Sequence, residues 1–367
     1  MSRNLSRNIR VYWVISGIFL IFPQWKLCAG VVSLRAEEVP RLRALIRTNS
    51  AAAAQFLDIH KAADFALKDQ PAPIEKIISQ GRLESDPEKK LTQTSLADMA
   101  KTESLAWTWA VTGDERYAAQ ARKYLSAWAG TNKPDGDPIN ETKFEPMIVA
   151  YDLLRPGFPD ADRRAIDNWL RTKAVTLLEK AKSEKNNWAN HRLKIVGLIG
   201  LTLNDEVLIQ QALQGFREQV GAGLEPDGSS LDFKTRDALH YHLYTIEPLL
   251  ALARAASRHG VDLFDYRAPN GASLHHSVDF VVPFAQGEKK HLEFANSKVA
   301  FDRKRAENGE KEYQIHLWNP KSSSEMFSQA AWFVPSYGVM AAKLSGRPEL
   351  ELFNWQMVIN AASYKKP

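Results

Sequence analysis

Apolar side chains recur at three- and four-residue spacing along most of this 367-residue chain, and that spacing is the period of amphipathic helices. It predicts two N-terminal helices, over Glu37 to Asn49 and Ala51 to Leu67. A helical hairpin follows, with helices over Ser95 to Val111 and Glu115 to Trp128 joined by a tight turn at Thr112 to Asp114. The polar residues 74–95 predict a solvated loop, and strand signals are almost absent as far as residue 260.

The same spacing predicts eight more helices. They cover Phe144 to Leu154, Ala161 to Lys182, Asn187 to Leu203, Asp205 to Ala222, Thr235 to His259, Met326 to Phe333, Tyr337 to Leu344 and Leu350 to Ala362. We expect the long helix over Thr235 to His259 to be interrupted or bent near Pro248. Between residues 269 and 315 the pattern changes, and Val278 to Phe284, Leu292 to Phe294 and Tyr313 to Leu317 suit short strands or extended segments.

So many sequential helices predict an all-α fold, an (α/α) toroid or incomplete barrel of helical hairpins around a central cleft. We expect a short extended or β-containing insertion near residues 270–317. We also expect residues 30–367 to form one domain, because a chain of this length can bury a single large core.

The first 29 residues have the pattern of a secretory signal peptide rather than of a folded element. Three arginines precede an apolar stretch from Val11 to Phe22, which is short for a membrane span. Small residues around Cys28 and Ala29 suit cleavage. The sequence therefore predicts a periplasmic or secreted protein, which we expect to be monomeric and to have no membrane attachment once the signal is removed.

Removing this segment changes the inferences about partners and metal sites that can be drawn from the net charge and the cysteine content. The formal net charge falls from +5 to about +1, so the basic character of the chain does not predict a nucleic-acid partner. The short basic clusters at Lys289 to Lys290 and Arg303 to Arg305 suit solvated surface. The only cysteine, Cys28, leaves with the signal, which excludes thiolate metal sites and cysteine nucleophiles. We expect no metal and no cofactor, since no H-E-x-x-H motif is present.

Two rows of polar side chains stand out within the helical pattern. Asn187 and His191 are four residues apart, as are Arg236, His240 and Tyr244. Residues four apart lie on one face of a helix, so each row presents hydrogen-bonding groups together. On a straight helix Tyr241 points about 100° away from His240, which favours Tyr244 over Tyr241 as the chemically active tyrosine.

These side chains suit β-elimination on a uronic acid. Removing the proton beside the sugar carboxylate places charge on that carboxylate, which an amide and a guanidinium can neutralise. A tyrosine or histidine can transfer the proton if neighbouring cations lower the pKa of the tyrosine.

A glycoside hydrolase is the main alternative, because two carboxylic acids across a cleft would serve it. Its candidates are Glu141, Glu145, Asp227, Asp232 and Asp237. A catalytically inactive polysaccharide-binding protein is the other alternative.

Each singled-out residue also has a structural interpretation. Asn186 and Asn187 suit helix caps, and His191 suits a hydrogen-bonded core histidine. Arg236 could form an ion pair with Asp232 or Asp237. Tyr241 suits packing.

The segment from Ala238 to Tyr244, read as A-L-H-Y-H-L-Y, resembles the A-L-x-Y-H-x-Y segment of the alginate lyase superfamily, including polysaccharide lyase family five. The pair Asn186 and Asn187 resembles the N-N-H motif of that family. Asp227 to Ser229, ahead of the tyrosine segment, is also similar to related uronate lyases. The likeness extends over roughly residues 95–255, and Gly136 to Glu141 fits a cleft loop.

The resemblance implies a secreted (α/α) toroid that cleaves polyuronates by elimination. The family's amide corresponds to Asn187 and its closing catalytic tyrosine to Tyr244. Two departures leave the polymer open among alginate, mannuronan, glucuronan and other acidic glycans: Trp188 stands where the family has histidine, and Asp237 stands where it has arginine. The sequence thus predicts catalytic roles for Asn187, His191, Arg236 and Tyr244, and substrate contacts from Asn186, Trp188, His240, Tyr241 and Glu141.

Overall fold

The computed structural model describes residues 32–363, and almost all of its regular structure is helical. The helices are α1 (Val39–Thr48), α2 (Ser50–Ala66), α3 (Pro87–Thr112), α4 (Glu115–Thr131), α5 (Pro138–Glu141), α6 (Glu145–Leu154), α7 (Asp160–Glu179), α8 (Asn187–Leu203), α9 (Glu206–Gly223), α10 (Leu231–Arg236), α11 (Leu239–Arg258), α12 (Leu274–Ala285), α13 (Ala300–Glu307), α14 (Ser324–Ala330), α15 (Ser336–Leu344) and α16 (Trp355–Ser363). Strands β1 (Leu292–Glu293) and β2 (His316–Leu317) pair antiparallel. The predicted signal segment, residues 1–29, lies outside the described residues.

Consecutive helices pack on one another, as α2 does on α3, α3 on α4, α7 on α8 and α8 on α9. The fold is the all-α (α/α) toroid that the spacing predicted. One large cluster of buried apolar side chains runs through it, and Trp128, Tyr151 and Phe216 are among its fully buried members. None of the helices within residues 32–363 is long and apolar enough to cross a membrane.

Local capping sets several helix boundaries. Helix α8 begins and ends where the spacing predicted, at Asn187 and Leu203. Helix α3 begins at Pro87 rather than near Ser95, because the Asp86 carboxylate accepts a hydrogen bond from the Glu88 amide at 2.9 Å and Pro87 suits the first helical position. The predicted loop over residues 74–95 is therefore shorter than expected.

The extended segment predicted over Val278 to Phe284 is wrong, because these residues belong to helix α12. The Ser273 hydroxyl caps this helix by accepting from the His276 amide at 3.1 Å. Val278 and Val281 are fully buried against the core. Burial on a helix face has overridden the strand preference of the β-branched residues.

The long helix predicted over Thr235 to His259 is also wrong, because the chain breaks between α10 and α11. Asp237 adopts the left-handed conformation, with φ 50° and ψ 50°, which aspartate tolerates better than most residues. The helix resumes at Leu239 and continues through Pro248 to Arg258. Arg236 therefore lies on a different helix from His240 and Tyr244.

A segment that we call the flap, Leu292 to Leu317, fills the gap between α10 and α11. It contains β1, α13 and β2. The Phe294 amide donates to the Asp237 carbonyl at 2.7 Å, and the Lys298 amide donates to the Thr235 carbonyl at 2.9 Å. The flap thus satisfies backbone groups that the break in the helix would leave unpaired.

Glu293, at the base of the flap, caps helix α11 from 53 residues away along the chain. Ala238 at the N-terminus of α11 provides no side-chain cap. The Glu293 carboxylate accepts from the Leu239 amide at 2.7 Å and from the His240 amide at 3.0 Å, and the residue is 1% exposed. A buried carboxylate at this position satisfies two backbone donors and faces the positive end of the helix.

We predict that Glu293→Gln destabilises the protein, because the amide nitrogen of glutamine cannot accept the second backbone hydrogen bond. Losing a hydrogen bond to a buried charged group costs about 1–3 kcal/mol. Urea unfolding should show a lower midpoint with an unchanged slope. Glu288→Gln, at an exposed position just before the flap, is the matched control. Equal midpoints for the two variants would contradict the capping role.

Candidate active site

A cavity of about 340 Å³ opens where the N-terminal ends of α8 and α11 meet the flap. Six of the nine residues predicted for the site line it: Asn187, Trp188, Arg236, His240, Tyr241 and Tyr244. The structure thus brings together side chains that are up to 57 positions apart in the sequence. The other three residues, Asn186, His191 and Glu141, lie outside the cavity lining.

The two asparagines at the start of α8 have different roles. Asn186 caps the helix, its side-chain oxygen accepting from the Trp188 amide at 3.2 Å. Asn187 is buried, and its side-chain nitrogen donates to Asp232 at 3.0 Å while its backbone amide donates to the same carboxylate at 2.7 Å. This arrangement fixes the orientation of the Asn187 amide and leaves its second side-chain proton available to a ligand.

His191 lies behind the cavity wall and packs against Tyr244, with 4.4 Å between ring centroids. Its Nδ1 is 3.0 Å from the Thr142 hydroxyl, whereas its Nε2 is buried with no hydrogen-bond partner among the described residues. Burial, and then the ammonium groups of Lys194 and Lys143, hold the pKa of His191 well below its usual value. The imidazole is therefore neutral at physiological pH.

Arg236 lines the cavity from the end of α10 rather than from the tyrosine helix. Its guanidinium forms an ion pair with Asp302, on α13 in the flap, and lies over the Tyr241 ring at 3.8 Å from the centroid. The single-helix row of Arg236, His240 and Tyr244 is therefore wrong, since the break at Asp237 separates the arginine from the other two. The predicted ion-pair alternative named the wrong partners, because Asp302 takes the place of Asp232 and Asp237.

Tyr241 and Tyr244 both line the cavity, although on a straight helix only Tyr244 would share the face of Arg236 and His240. Their ring centroids are 6.2 Å apart, as positions three apart on α11 allow. The Tyr241 hydroxyl accepts from Arg305 at 3.2 Å. Tyr244 stacks in parallel with His240 at 6.4 Å and, among the described residues, its hydroxyl has no hydrogen-bond partner. Tyr244 is therefore the tyrosine whose hydroxyl remains available to a ligand.

The condition that neighbouring cations lower the pKa of the tyrosine is not met at Tyr244. Burial, followed by the neighbouring groups of Tyr241 and Glu247, raises the pKa of Tyr244 well above its usual value, and Arg305 offsets only part of this. Tyr244 is consequently protonated at neutral pH. A protonated phenol is suited to donating a proton.

Glu141 is a correction to the predicted set of substrate contacts. It is 3% exposed, pairs with the fully buried Lys173, and accepts from the Asp135 amide at 2.9 Å. A carboxylate engaged in this way holds α5 and the loop before it against α7 instead of facing a ligand. The other carboxylates proposed for a hydrolase, Glu145, Asp227, Asp232 and Asp237, are likewise absent from the cavity lining.

Three cations in the cavity wall were not predicted from the sequence. Lys89 comes from α3, Lys143 from the short 3₁₀ turn after α5, and Arg305 from α13. Arg305 belongs to the basic cluster Arg303 to Arg305, which was predicted to be solvent-exposed. That prediction is wrong for Arg305, which lines the cavity. Its guanidinium donates to the hydroxyls of Tyr241 and Tyr313, at 3.2 and 2.8 Å. Nothing in the sequence separates it from Arg303 and Lys304, which are exposed.

The model of the family described as alginate lyase matches residues 47–291, about two thirds of the chain. The chain belongs to the alginate lyase family. The matched range includes the N-terminal ends of α8 and α11 and ends at residue 291, immediately before the flap. The flap residues Phe301, Arg305, Glu312 and Tyr313 therefore complete the cavity of this alginate lyase family member from outside the matched range.

Individual relatives agree with this assignment. The chain is 27% identical over 183 residues to a polysaccharide lyase of Stenotrophomonas maltophilia, and the match covers 46% of this chain and 53% of that protein. The chain thus spans about half the length of that relative. An alginate lyase from Bacteroides ovatus has the same fold, with a TM-score of 0.70, 18% identity, and coverage of 90% of this chain and 99% of the other.

Alginate lyase A1-III from Sphingomonas species A1 also shares the fold. It has a TM-score of 0.55 and 22% identity, over 68% of this chain and 77% of that chain.

We predict that the His191 imidazole is neutral at pH 7 and titrates at a lower pH than an ordinary histidine, because burial holds its pKa well below 6.5. Nitrogen-15 NMR of labelled histidine should show no titration midpoint near pH 6.5 for this ring, with His191→Gln assigning the signal. Lys143→Met removes one of the nearby positive charges and should raise the midpoint. A midpoint near 6.5 in the unaltered protein would contradict this account of the site.

Proposed function

We propose that this chain is a polysaccharide lyase that cleaves an acidic polyuronate by β-elimination, leaving a 4,5-unsaturated uronate at the new chain end. The observation that best supports the proposal is that hydrogen-bond donors suited to this reaction line one cavity. The amide of Asn187, the guanidinium of Arg236 and the available phenol of Tyr244 all line it. Membership of the alginate lyase family supports the same reaction class.

The first requirement of the reaction is neutralisation of the sugar carboxylate, because removing the C5 proton places further charge on it. Asn187 offers a proton whose direction Asp232 fixes, and Arg236 offers guanidinium protons that Asp302 does not occupy. Donors held in place before the substrate arrives cost no reorganisation during the reaction.

The second requirement is transfer of two protons, one from C5 to a base and one to the oxygen that leaves C4. The raised pKa of Tyr244 keeps the phenol protonated before the reaction, so the group has a proton for the leaving oxygen, whose alkoxide is strongly basic. Two imidazoles lie against its ring, with His240 exposed to the cavity and His191 behind it. Neutral imidazoles suit the role of base, and burial holds the pKa of both below the usual value.

A glycoside hydrolase is less well supported by the geometry. The carboxylates in the cavity lining are Glu84 and Glu312. The Glu84 carboxylate pairs with Lys89 and accepts from Gln93 at 2.8 Å, and the Lys89 hydrogen bond helps to lower its pKa. A general acid in a glycosidase needs the opposite, a raised pKa.

Related proteins support an oligosaccharide ligand of the proposed class. Two variants of alginate lyase A1-III, one with histidine replaced by alanine and one with tyrosine replaced by phenylalanine, are described as complexed with a tetrasaccharide. We propose alginate, mannuronan or a glucuronan-like polymer as the substrate. Secretion to the periplasm or beyond, proposed from residues 1–29, and a monomeric state complete the proposal.

We predict that the purified protein generates the ultraviolet absorbance of an unsaturated uronate when it is incubated with polymannuronate, polyguluronate or polyglucuronate. Absorbance appears because the new C4–C5 double bond is conjugated with the carboxylate. New reducing ends without that absorbance would indicate hydrolysis instead. Retention on the polymers with neither signal would indicate a binding protein.

We predict that Tyr244→Phe lowers kcat by about 10²-fold or more while substrate binding is largely retained, because the variant loses only the transferable proton. Steady-state rates and calorimetric binding to the same oligouronate measure the two effects separately. A uronate that carries a dinitrophenolate at C4, which leaves without protonation, should restore much of the rate if the phenol is the proton donor.

Tyr241→Phe is the matched control for this experiment, because it removes a hydroxyl from the same helix and the same cavity. Its hydroxyl is already engaged by Arg305, so we expect a smaller loss of kcat. Normal turnover by Tyr244→Phe together with an inactive Tyr241→Phe variant would overturn the assignment.

A further inference from the structure

Thr142 presents a buried hydroxyl to His191, behind the wall of the cavity. The Thr142 oxygen lies 3.0 Å from Nδ1 of His191, and the two residues are 8% and 5% exposed. His191 belongs to α8, one helical turn after Asn187, and packs against Tyr244. Thr142 itself is absent from the cavity lining. Its hydroxyl can therefore act on the proposed reaction only through the histidine.

The position of Thr142 is fixed by buried contacts of the residues just before it. Glu141 pairs with the fully buried Lys173 and accepts from the Asp135 amide at 2.9 Å. Asp137 caps the short helix α5, which ends at Glu141. Thr142 follows directly, at the start of the 3₁₀ turn. Its hydroxyl is thus held against the imidazole by a rigid part of the chain.

The hydrogen bonds of the His191 imidazole decide which of its nitrogens carries the proton. A neutral histidine has one N–H and one acceptor nitrogen, and the partner of one nitrogen sets the state of the other. If the Thr142 hydroxyl donates to Nδ1, only the Nε2–H is without a partner among the described residues. If the hydroxyl accepts from Nδ1–H instead, its own proton and the Nε2 lone pair both lack partners there. Because an unpaired buried polar group is costly, the first arrangement is favoured.

We propose that Thr142 is a positioning residue that holds His191 as its Nε2–H tautomer, so that His191 donates a hydrogen bond and does not accept the C5 proton. This inference rests on the proposed elimination, and it divides the work between the two imidazoles that lie against Tyr244. His240 lines the cavity, and neither of its ring nitrogens has a hydrogen-bond partner among the described residues. The acceptor nitrogen of His240 is therefore open to the substrate proton.

Each proton of the elimination then has one carrier. The C5 proton moves to His240, its bonding electrons form the C4–C5 double bond, and the oxygen that leaves C4 takes the proton of Tyr244. The phenolate that forms lies against the ring of His191, whose fixed N–H dipole stabilises negative charge. The other tautomer directs its single N–H at Thr142 and offers the phenolate none.

Nitrogen-15 NMR of histidine-labelled protein tests the tautomer directly and needs no substrate. In the unaltered protein at pH 8, Nε2 of His191 should have the chemical shift and one-bond proton coupling of a protonated nitrogen, and Nδ1 should have neither. Thr142→Val keeps the shape of the side chain without the hydroxyl, so the Nδ1–H form should appear. Thr142→Ser should restore the Nε2–H form.

Thr202→Val is the matched control for this measurement. Thr202 is also buried, lies on the same helix α8 as His191, and has a hydroxyl without a hydrogen-bond partner among the described residues. Removing that hydroxyl should leave the tautomer of His191 unchanged.

Steady-state kinetics on an oligouronate test the division of roles. Thr142→Val should lower kcat by about tenfold with little change in KM, which is the effect of one hydrogen bond on a barrier, and Thr142→Ser should recover most of the loss. His191→Gln keeps an N–H donor near the position of Nε2 and should retain more activity than His191→Leu. His240→Gln should lower kcat by about 10²-fold or more, as loss of a general base does.

Each measurement has an outcome that would overturn the inference. A protonated Nδ1 on His191 in the unaltered protein, or an unchanged tautomer in Thr142→Val, would show that the threonine does not hold the Nε2–H form. A loss of kcat in His191→Gln as large as that in His240→Gln would show that His191 accepts a proton. Failure of the proposed lyase function is distinguishable, because the unaltered protein then yields no unsaturated product on any polyuronate, whatever the NMR shows.

Discussion

The buried carboxylate of Asp232 connects the three helices on which the cavity depends. Asp232 belongs to α10, accepts two hydrogen bonds from Asn187 at the start of α8, and accepts a third from the Thr245 hydroxyl on α11 at 2.7 Å. A buried carboxylate is costly unless it is fully hydrogen-bonded, so these donors must stay in place together. Because Thr245 directly follows Tyr244, the same carboxylate sets the amide and the phenol relative to each other.

The break at Asp237 is the second constraint, and it ties the cavity to the flap. Without the break, Arg236 would continue the helix and could not lie over the ring of Tyr241. The break exposes backbone groups and the N-terminus of α11, and the flap satisfies both through Phe294 and Glu293. The flap, which supplies hydrogen-bond partners at the break in the helix, thus also places Arg305 in the cavity wall. The hydrogen bonding of the broken helix and the composition of the cavity wall therefore depend on one segment.

The sequence predicted those features of the site that depend on contacts between residues close together in the chain, and it did not predict those that depend on distant residues. The bounds of α8 followed from spacing and from capping by Asn186, both of which are local signals. The break at Asp237 could not be predicted, because its partners in the flap lie more than 50 positions away. Arg305 was missed because a one-dimensional pattern does not show which member of a basic cluster turns inward. The position of Glu141 in a predicted cleft loop favoured a substrate contact. Its ion pair with Lys173 is a tertiary contact that the sequence does not reveal.

The electrostatics of the cavity favour particular roles for its neutral groups. Bringing a carboxylate beside Tyr244 adds negative charge, which raises the pKa of a phenol further. A tyrosine ionised before the reaction would therefore need more compensation than Arg305 gives it. Donation of the phenol proton to the departing oxygen instead moves onto the phenol a negative charge that would otherwise develop on that oxygen. The imidazoles against the Tyr244 ring are neutral beforehand, and one that accepts the C5 proton becomes a cation beside the phenolate and compensates its charge.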